Sequence, residues 1–180
     1  MLPIIICLLK LCVLATCLST DGYYWRDYYG TIPDDAFIGG HDIYGRPIHV
    51  GQILHGKNLL TAKIYQNDKR AFYSYYGSEY SSTRDVKILC TLNAQKFEWI
   101  TTTHDTMHLL TGRHILNGGF EPGHQLYIGR TFHNQEAWIG RIVAAKIDNL
   151  GLYIPFEGRE TNIKSFEILT YNENRTVLGL

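Results

Sequence analysis

The stretch GGHDIYGRPIHVGQILHGKNLLTAK, residues 39–63, holds a glycine pair, an acid, a strand-like run and a closing lysine. Residues 118–141, GGFEPGHQLYIGRTFHNQEAWIGR, repeat that order. Ile48, Val50, Gly51, Leu54 and His55 correspond to Leu126, Ile128, Gly129, Phe132 and His133, every pair 78 positions apart. Lys63-Ile64 and Arg141-Ile142 keep that offset, and Gly39-Gly40 and Asp42 match Gly118-Gly119 and Glu121 at offset 79. Downstream, Tyr75-Tyr76-Gly77-Ser78-Glu79 corresponds to Phe156-Glu157-Gly158-Arg159-Glu160 at offset 81, and Ile88-Leu89 to Ile168-Leu169 at offset 80. Small slips in loops between conserved runs are what a tandem duplication leaves.

The runs between the glycines are strands. Pro47 to Leu54 alternates, with Ile48 and Val50 on one face and His49 and Gly51 on the other. Ala71 to Tyr76 and Gly151 to Phe156 supply a further strand in each copy, and Asp85 to Cys90 and Phe166 to Tyr171 the last. No window carries a sustained helical period. A half of about 75 residues is too small to bury a full core. The expected fold is all-β, two tandem repeats interlocked into one pseudo-twofold antiparallel domain. Its repeats run over about 23–92 and 97–171 within a single domain of residues 21–180. The opening of the second copy, Trp99 to Leu116, is longer than that of the first and degenerate.

Residues 1–20, MLPIIICLLKLCVLATCLST, are apolar and end in small residues. They read as a secretory signal peptide, and Lys10 makes them a poor membrane span. The chain is therefore expected to be secreted. Without this segment it keeps 16 basic and 17 acidic residues of the original 17 and 17, a net charge of −1. No basic surface for nucleic acid follows from that balance. Cys7, Cys12 and Cys17 leave with the segment, so Cys90 has no disulfide partner in the chain and reads as a buried small hydrophobe. Asn174-Arg175-Thr176 is a glycosylation sequon.

Trp25, Gly30, Ile32-Pro33, Asp35-Ala36, Gly39-Gly40 and Asp42 form the pattern W-x4-G-x-I-P-x-D-A-x2-G-G-x-D. A small-residue turn before Lys63, the YYGSE of 75–79 and the VKIL of 86–89 complete it. This resembles the DM-nine repeat family of invertebrate proteins, which also occurs as the lectin-like module of natterin-type toxins. The resemblance covers residues 23–171 and implies a mannose-binding lectin, a pattern-recognition factor of innate immunity. It implies that the sugar is held by the aspartate of the G-x-D turn and the lysine after the next strand, here Asp42 and Lys63. Glu121 and Arg141 occupy those positions in the second copy. Thr61-Ala62 stand where the family has Pro-Gly, and no pore-forming activity is expected, since residues 172–180 are too few for a toxin domain.

Those residue types suit a sugar. A carboxylate accepts from two adjacent hydroxyls and an ammonium donates to two. Hydrogen bonds to charged groups contribute about 1.5–3 kcal/mol each. The glycine pair is expected to let the backbone bring Asp42 close to the ligand. Trp25, Tyr44, Trp99 and Trp138 are the candidate stacking rings. A single shallow site gives affinity in the millimolar range, about −4 kcal/mol. Two sites per chain, or a homodimer, raise it by avidity on a glycan-coated surface.

No cofactor, metal or catalytic constellation is expected. His104 and His108 resemble in outline a zinc-protease pair but lack its glutamate, and on a strand they lie too far apart to share a metal. His55 and His133 recur as a structural pair, and Glu79 and Glu160 as turn-anchoring acids. Two rival readings remain. One is an extracellular structural or protein-interaction module without sugar binding. The other is a polysaccharide hydrolase using two of Asp42, Glu79, Glu121 and Glu160, which requires a carboxylate pair in one cleft.

Overall fold

The computed structural model describes residues 22–143 and 151–175. The signal-like segment 1–20 lies outside them. In the first copy run β1 (Tyr23–Asp27), β2 (Ile38–His41), β3 (Pro47–His55), β4 (Asn58–Tyr65), β5 (Ala71–Tyr75), β6 (Ser78–Ser82) and β7 (Val86–Thr91). The second copy contributes β8 (Phe97–Thr103), β9 (His114–Ile115), β10 (Asn117–Glu121), β11 (His124–His133), β12 (Glu136–Val143), β13 (Leu152–Phe156), β14 (Arg159–Ile163) and β15 (Ser165–Tyr171). Two 3₁₀ turns, at Ala94–Lys96 and Met107–Leu109, flank β8. The fold is all-β and antiparallel, as the spacing of glycines and β-branched runs implies.

One barrel-like sheet follows the path β1-β7-β3-β4-β5-β6-β14-β13-β12-β11-β15-β8. Its second half is the first in reverse, each strand replaced by its repeat equivalent. A pseudo-twofold axis therefore passes between β6 and β14, where Arg159 pairs with Ser78. The degenerate opening of the second copy obeys the symmetry. Trp25 lies opposite Leu89 and Trp99 opposite Leu169, and the Phe37 and Leu116 amides donate to the carbonyls of those two leucines. Trp99 thus replaces Trp25 at an offset the intervening insertion hides.

Alternation along β3, β4 and β7 sorts the core. Ile53, Leu60, Ala62, Ile64, Val86, Ile88 and Cys90 gather on one side, joined by Leu126 and Val143 of the second copy. Ile48, Val50 and Leu89 gather on the other with Ile128, Ile139 and Leu169. Both clusters draw on both copies, so each repeat completes its core with side chains from its twin. Cys90 is fully buried, and burial pushes its thiol up to about 11.

The glycine pairs have a different task from the one their sequence suggests. Each packs on a strand of the opposite repeat. A Cβ on Gly40 would sit 2.2 Å from the Ala137 Cβ in β12, and one on Gly39 would meet Ile139. A Cβ on Gly119 would sit 2.0 Å from the Leu59 carbonyl oxygen in β4, and one on Gly118 would meet Thr61. Leu59 and Thr61 are the repeat equivalents of Ala137 and Ile139, so the clasp is reciprocal. Gln52 and Thr61 tie it further by donating to the Gly118 carbonyl at 3.0 and 3.3 Å. Thr61-Ala62 form no turn; they lie inside β4, whose Thr61-Lys63-Tyr65 face points at this clasp.

A second reciprocal device lies on the axis. The Glu79 amide donates to the Gly158 carbonyl and the Glu160 amide to that of Gly77. The Glu79 carboxylate accepts from the Gly158 amide at 2.9 Å, and Glu160 accepts from the Gly77 amide at 3.0 Å. Each acid anchors the hairpin turn of the other copy.

Gly119 has a φ of 149° as well as the backbone contact. Gly119→Ala should therefore cost about 3–5 kcal/mol of unfolding free energy in urea titrations. Gly45→Ala, also at positive φ but with open space around it, should cost only about 1–2 kcal/mol. Equal costs would show that the clasp contributes nothing beyond backbone conformation.

Candidate functional site

Asp42 closes the β2–β3 hairpin. Its Oδ1 accepts from the amides of Tyr44 and Arg46, both at 2.9 Å, and its Oδ2 accepts from Arg46 Nε at 2.6 Å. Desolvation opposes its charge, but the bonds from Arg46 and Tyr44 outweigh that and hold the carboxyl below its ordinary range. With Arg46, Tyr65 and Gln66 it lines a shallow cavity of about 220 Å³.

Lys63 sits on the face of β4 that the second repeat covers and is 1% exposed. Its Nζ lies 3.2 Å from the Trp138 ring centre, 4.9 Å from that of Tyr65 and 4.0 Å from Glu136 Oε1. Burial pushes the ammonium down to about 7, against the upward pull of Glu136 and then Glu79. Among the described residues no hydrogen-bond acceptor is within reach of Nζ. Asp42 and Lys63 therefore have different ionic partners, Arg46 for the acid and Glu136 for the cation. Tyr65 connects the two neighbourhoods: its hydroxyl donates to Glu136, its ring faces Lys63, and it lines the cavity of Asp42.

In the second copy the equivalent residues meet. Arg141 is 6% exposed, and its Nε donates to Glu121 Oε1 at 2.9 Å. Its Nη1 donates to Glu160 Oε1 at 2.7 Å, and to the carbonyl and hydroxyl of Ser74 at 2.6 and 3.3 Å. Tyr75 and Tyr153 flank the guanidinium at 5.7 and 5.0 Å. Among the described residues Nη2 has no hydrogen-bond partner, so its two N–H groups are unspent. The cluster forms one wall of an open cleft of about 240 Å³, completed by Tyr75, Tyr76, His124 and Val143.

The cleft is built by both copies, Tyr75-Tyr76 from the first and Glu121, Arg141 and Glu160 from the second. Tyr76 is 84% exposed at a φ of 47°, a left-handed turn conformation costly for an aromatic residue. The Gly77 amide next to it is the one held by Glu160, which thus fixes the Tyr76 turn and Arg141 together. Sequence reasoning missed these tyrosines because they belong to the other repeat. The signal available was the recurrence of Glu79 and Glu160 directly after a Tyr-Gly or Glu-Gly turn.

Of the four rings singled out from sequence, only Trp138 stands at a candidate cation. Trp99 covers Arg130 at 4.3 Å, Tyr44 covers Arg46 at 5.0 Å, and Trp25 packs on the core. His55 donates to or accepts from the Tyr73 hydroxyl at 2.9 Å, and His133 packs on Phe156. His104 and His108 occupy a turn and a 3₁₀ segment rather than a strand. Among the described residues no group of three His, Cys, Asp or Glu could hold a metal ion. No helix there is long and apolar enough to cross a membrane. Asn174 is exposed after β15.

The unusual Lys63 makes stability depend on pH. Its folded value of about 7 lies below the unfolded 10.5, so between these the unfolded chain binds more protons and stability rises with pH. Below about 7 that gain is absent. Denaturant titrations from pH 7 to 9 should show a rise on the order of a few kcal/mol. Lys63→Met should flatten it; an unchanged slope would place its origin elsewhere.

The comparisons bear on fold and family. The nematode sperm cell motility protein MFP2B has a similar structure, with a TM-score of 0.57 and 12% sequence identity over 86% of this chain. The match spans 47% of that protein, so the chain is about half its length. At that identity the likeness concerns the fold alone. No curated protein matches the sequence. The family model described as the DM9 repeat matches residues 42–163 and 119–178, which include Asp42 and Glu121, both cations and both hairpin acids. The chain belongs to the DM9 repeat family.

Proposed function

We propose that this protein is a secreted carbohydrate-binding protein of lectin type with a preference for mannose. It binds rather than transforms its ligand, and serves as a pattern-recognition factor on glycan-coated surfaces. Membership of the DM9 family supports the coarser part, a lectin-like module. One structural observation supports a hydroxyl-bearing ligand. Among the described residues each repeat holds a cation on a buried residue whose N–H groups exceed the acceptors within reach, Lys63 Nζ in one and Arg141 Nη2 in the other. Those N–H groups are available to a sugar hydroxyl, and a hydrogen bond from a charged donor contributes about 1.5–3 kcal/mol.

In the second repeat Arg141 Nη2 donates to one hydroxyl, and Glu121 and Glu160 accept from its neighbours with their remaining lone pairs. Tyr76 stacks on the apolar face of the pyranose. We read the two acids as clamps on one guanidinium rather than as a hydrolytic pair. In the first repeat Asp42 and Tyr65 line the shallow cavity, and Lys63 lies on the Tyr65 ring outside that lining, with Trp138 on it as well. Two sites on one chain, and a homodimer of chains, would add avidity.

Calorimetry with methyl α-mannoside tests this. Tyr76→Ala changes an exposed side chain and should weaken binding about tenfold with an unchanged circular dichroism spectrum. Arg141→Lys keeps the charge, removes the Nη2 donors and should weaken it comparably. Asp42→Ala and Lys63→Met report on the first repeat in the same way. A chain that binds no mannoside would favour the protein-interaction reading, for which exposed Tyr29 and Leu54 beside a groove of about 560 Å³ are the natural surface.

A further inference from the structure

The cleft at Arg141 does not end at its inner lobe. A second lobe of about 550 Å³ opens from it across a shared wall of Tyr75, Tyr76, Glu121 and His124, and adds Lys57, Asn58 and Pro122. The inner lobe alone is smaller than a typical small-molecule site of roughly 300–1,000 Å³, while the outer lobe falls within that range. The outer wall again comes from both copies: Lys57 and Asn58 from the β3–β4 turn, Pro122 and His124 from the β10–β11 turn.

The two lobes differ in charge. In the inner lobe one guanidinium serves two carboxylates, so an acidic sugar would meet uncompensated negative charge there. The outer lobe carries Lys57, an exposed ammonium with no ion-pair partner among the described residues. Beside it, Asn58 spends its amide nitrogen on the His55 carbonyl at 3.2 Å, which leaves its carbonyl oxygen to accept. His124 lines the same wall, with its Nδ1 buried behind it. These groups complement an anion flanked by hydroxyls.

We infer that the ligand of this cleft is an oligosaccharide with a neutral residue in the inner lobe and an anionic residue, bearing carboxylate, sulfate or phosphate, against Lys57 in the outer lobe. This rests on the sugar reading of the inner lobe and goes beyond it, since it makes the target an acidic glycan rather than a plain mannoside. The Lys57 ammonium forms a charge-assisted hydrogen bond to the anion, partly screened because the lobe is open to water.

Calorimetry on the full chain with α-mannobiose and with its carboxylate-, sulfate- and phosphate-bearing counterparts tests it. An acidic disaccharide should bind about tenfold tighter than mannobiose at low salt. The advantage should shrink at 0.5 M sodium chloride. Which of the three acids gains most identifies the anion. In Lys57→Glu the ratio of acidic to neutral affinity should fall to one or below; Lys57→Gln should lower it part of the way. Equal binding of neutral and acidic disaccharides, or a ratio unaffected by Lys57→Glu, overturns the inference. Methyl α-mannoside titrated alongside separates the two levels. If it binds and the acidic preference is missing, only the outer lobe has been misread; if nothing binds, both readings fail.

Discussion

The fold depends on one close approach made twice. The glycine pair of each repeat lies on a strand of the other so tightly that a single Cβ would collide with it, at 2.2 Å for Gly40 and 2.0 Å for Gly119. A contact of that kind cannot be made within one copy, because Gly39-Gly40 meets Ala137 and Ile139 while Gly118-Gly119 meets Leu59 and Thr61. It brings β2 over β12 and β10 over β4, and thereby closes the sheet into a barrel-like form. Once it is made, the strand face carrying Thr61, Lys63 and Tyr65 is covered, and so is that carrying Ile139, Arg141 and Val143. The two cations are buried because the clasp buries them.

Burying a charge is costly unless the protein surrounds it with compensating groups. The two copies solve this differently. Arg141 has a planar fork, and acceptor residues on three strands, Ser74, Glu121 and Glu160, fill two of its three nitrogens. Lys63 is a compact ammonium, and it is met by ring faces and a carboxylate 4.0 Å away. Its depressed proton affinity follows from that weaker compensation. The acids on the axis reach both solutions: Glu160 binds Arg141 directly, and the charge of Glu79 is felt at Lys63. The seam between repeats and the candidate sites are therefore one polar system.

Much of this architecture is legible in the sequence because duplication leaves a periodic record. The offsets of 78 to 81 pair the equivalent strands from the glycine pairs onward, though not β1 with β8, and alternation puts Ile48 and Val50 together on one face, as they are in the core. Contacts between the copies are not legible, since nothing in a linear repeat says which twin a residue touches. That is why Gly39-Gly40 reads as a ligand loop but serves as a clasp, and why Thr61-Ala62 reads as a turn but continues β4. It is also why Tyr75 and Tyr76, at the end of β5 and in the turn after it, give no hint that they wall the cleft of Arg141.

The divergence of the two candidate sites can be traced to a few side chains. Where the second copy has Val143, the first has Tyr65, whose ring faces Lys63 and whose hydroxyl occupies Glu136. Where the first has Leu60, the second has Trp138, which caps Lys63 from across the seam at 3.2 Å. Both cations lie against rings, Trp138 and Tyr65 at Lys63 and Tyr75 and Tyr153 at Arg141, but only Arg141 also has carboxylates within hydrogen-bond distance. The turn acids follow suit. Asp42 is short and folds back onto its own hairpin amides, whereas Glu121 is one methylene longer and reaches the guanidinium. A duplicated scaffold thus keeps both charges through the packing of its seam, while the residues lining that seam decide which charge faces an open cleft.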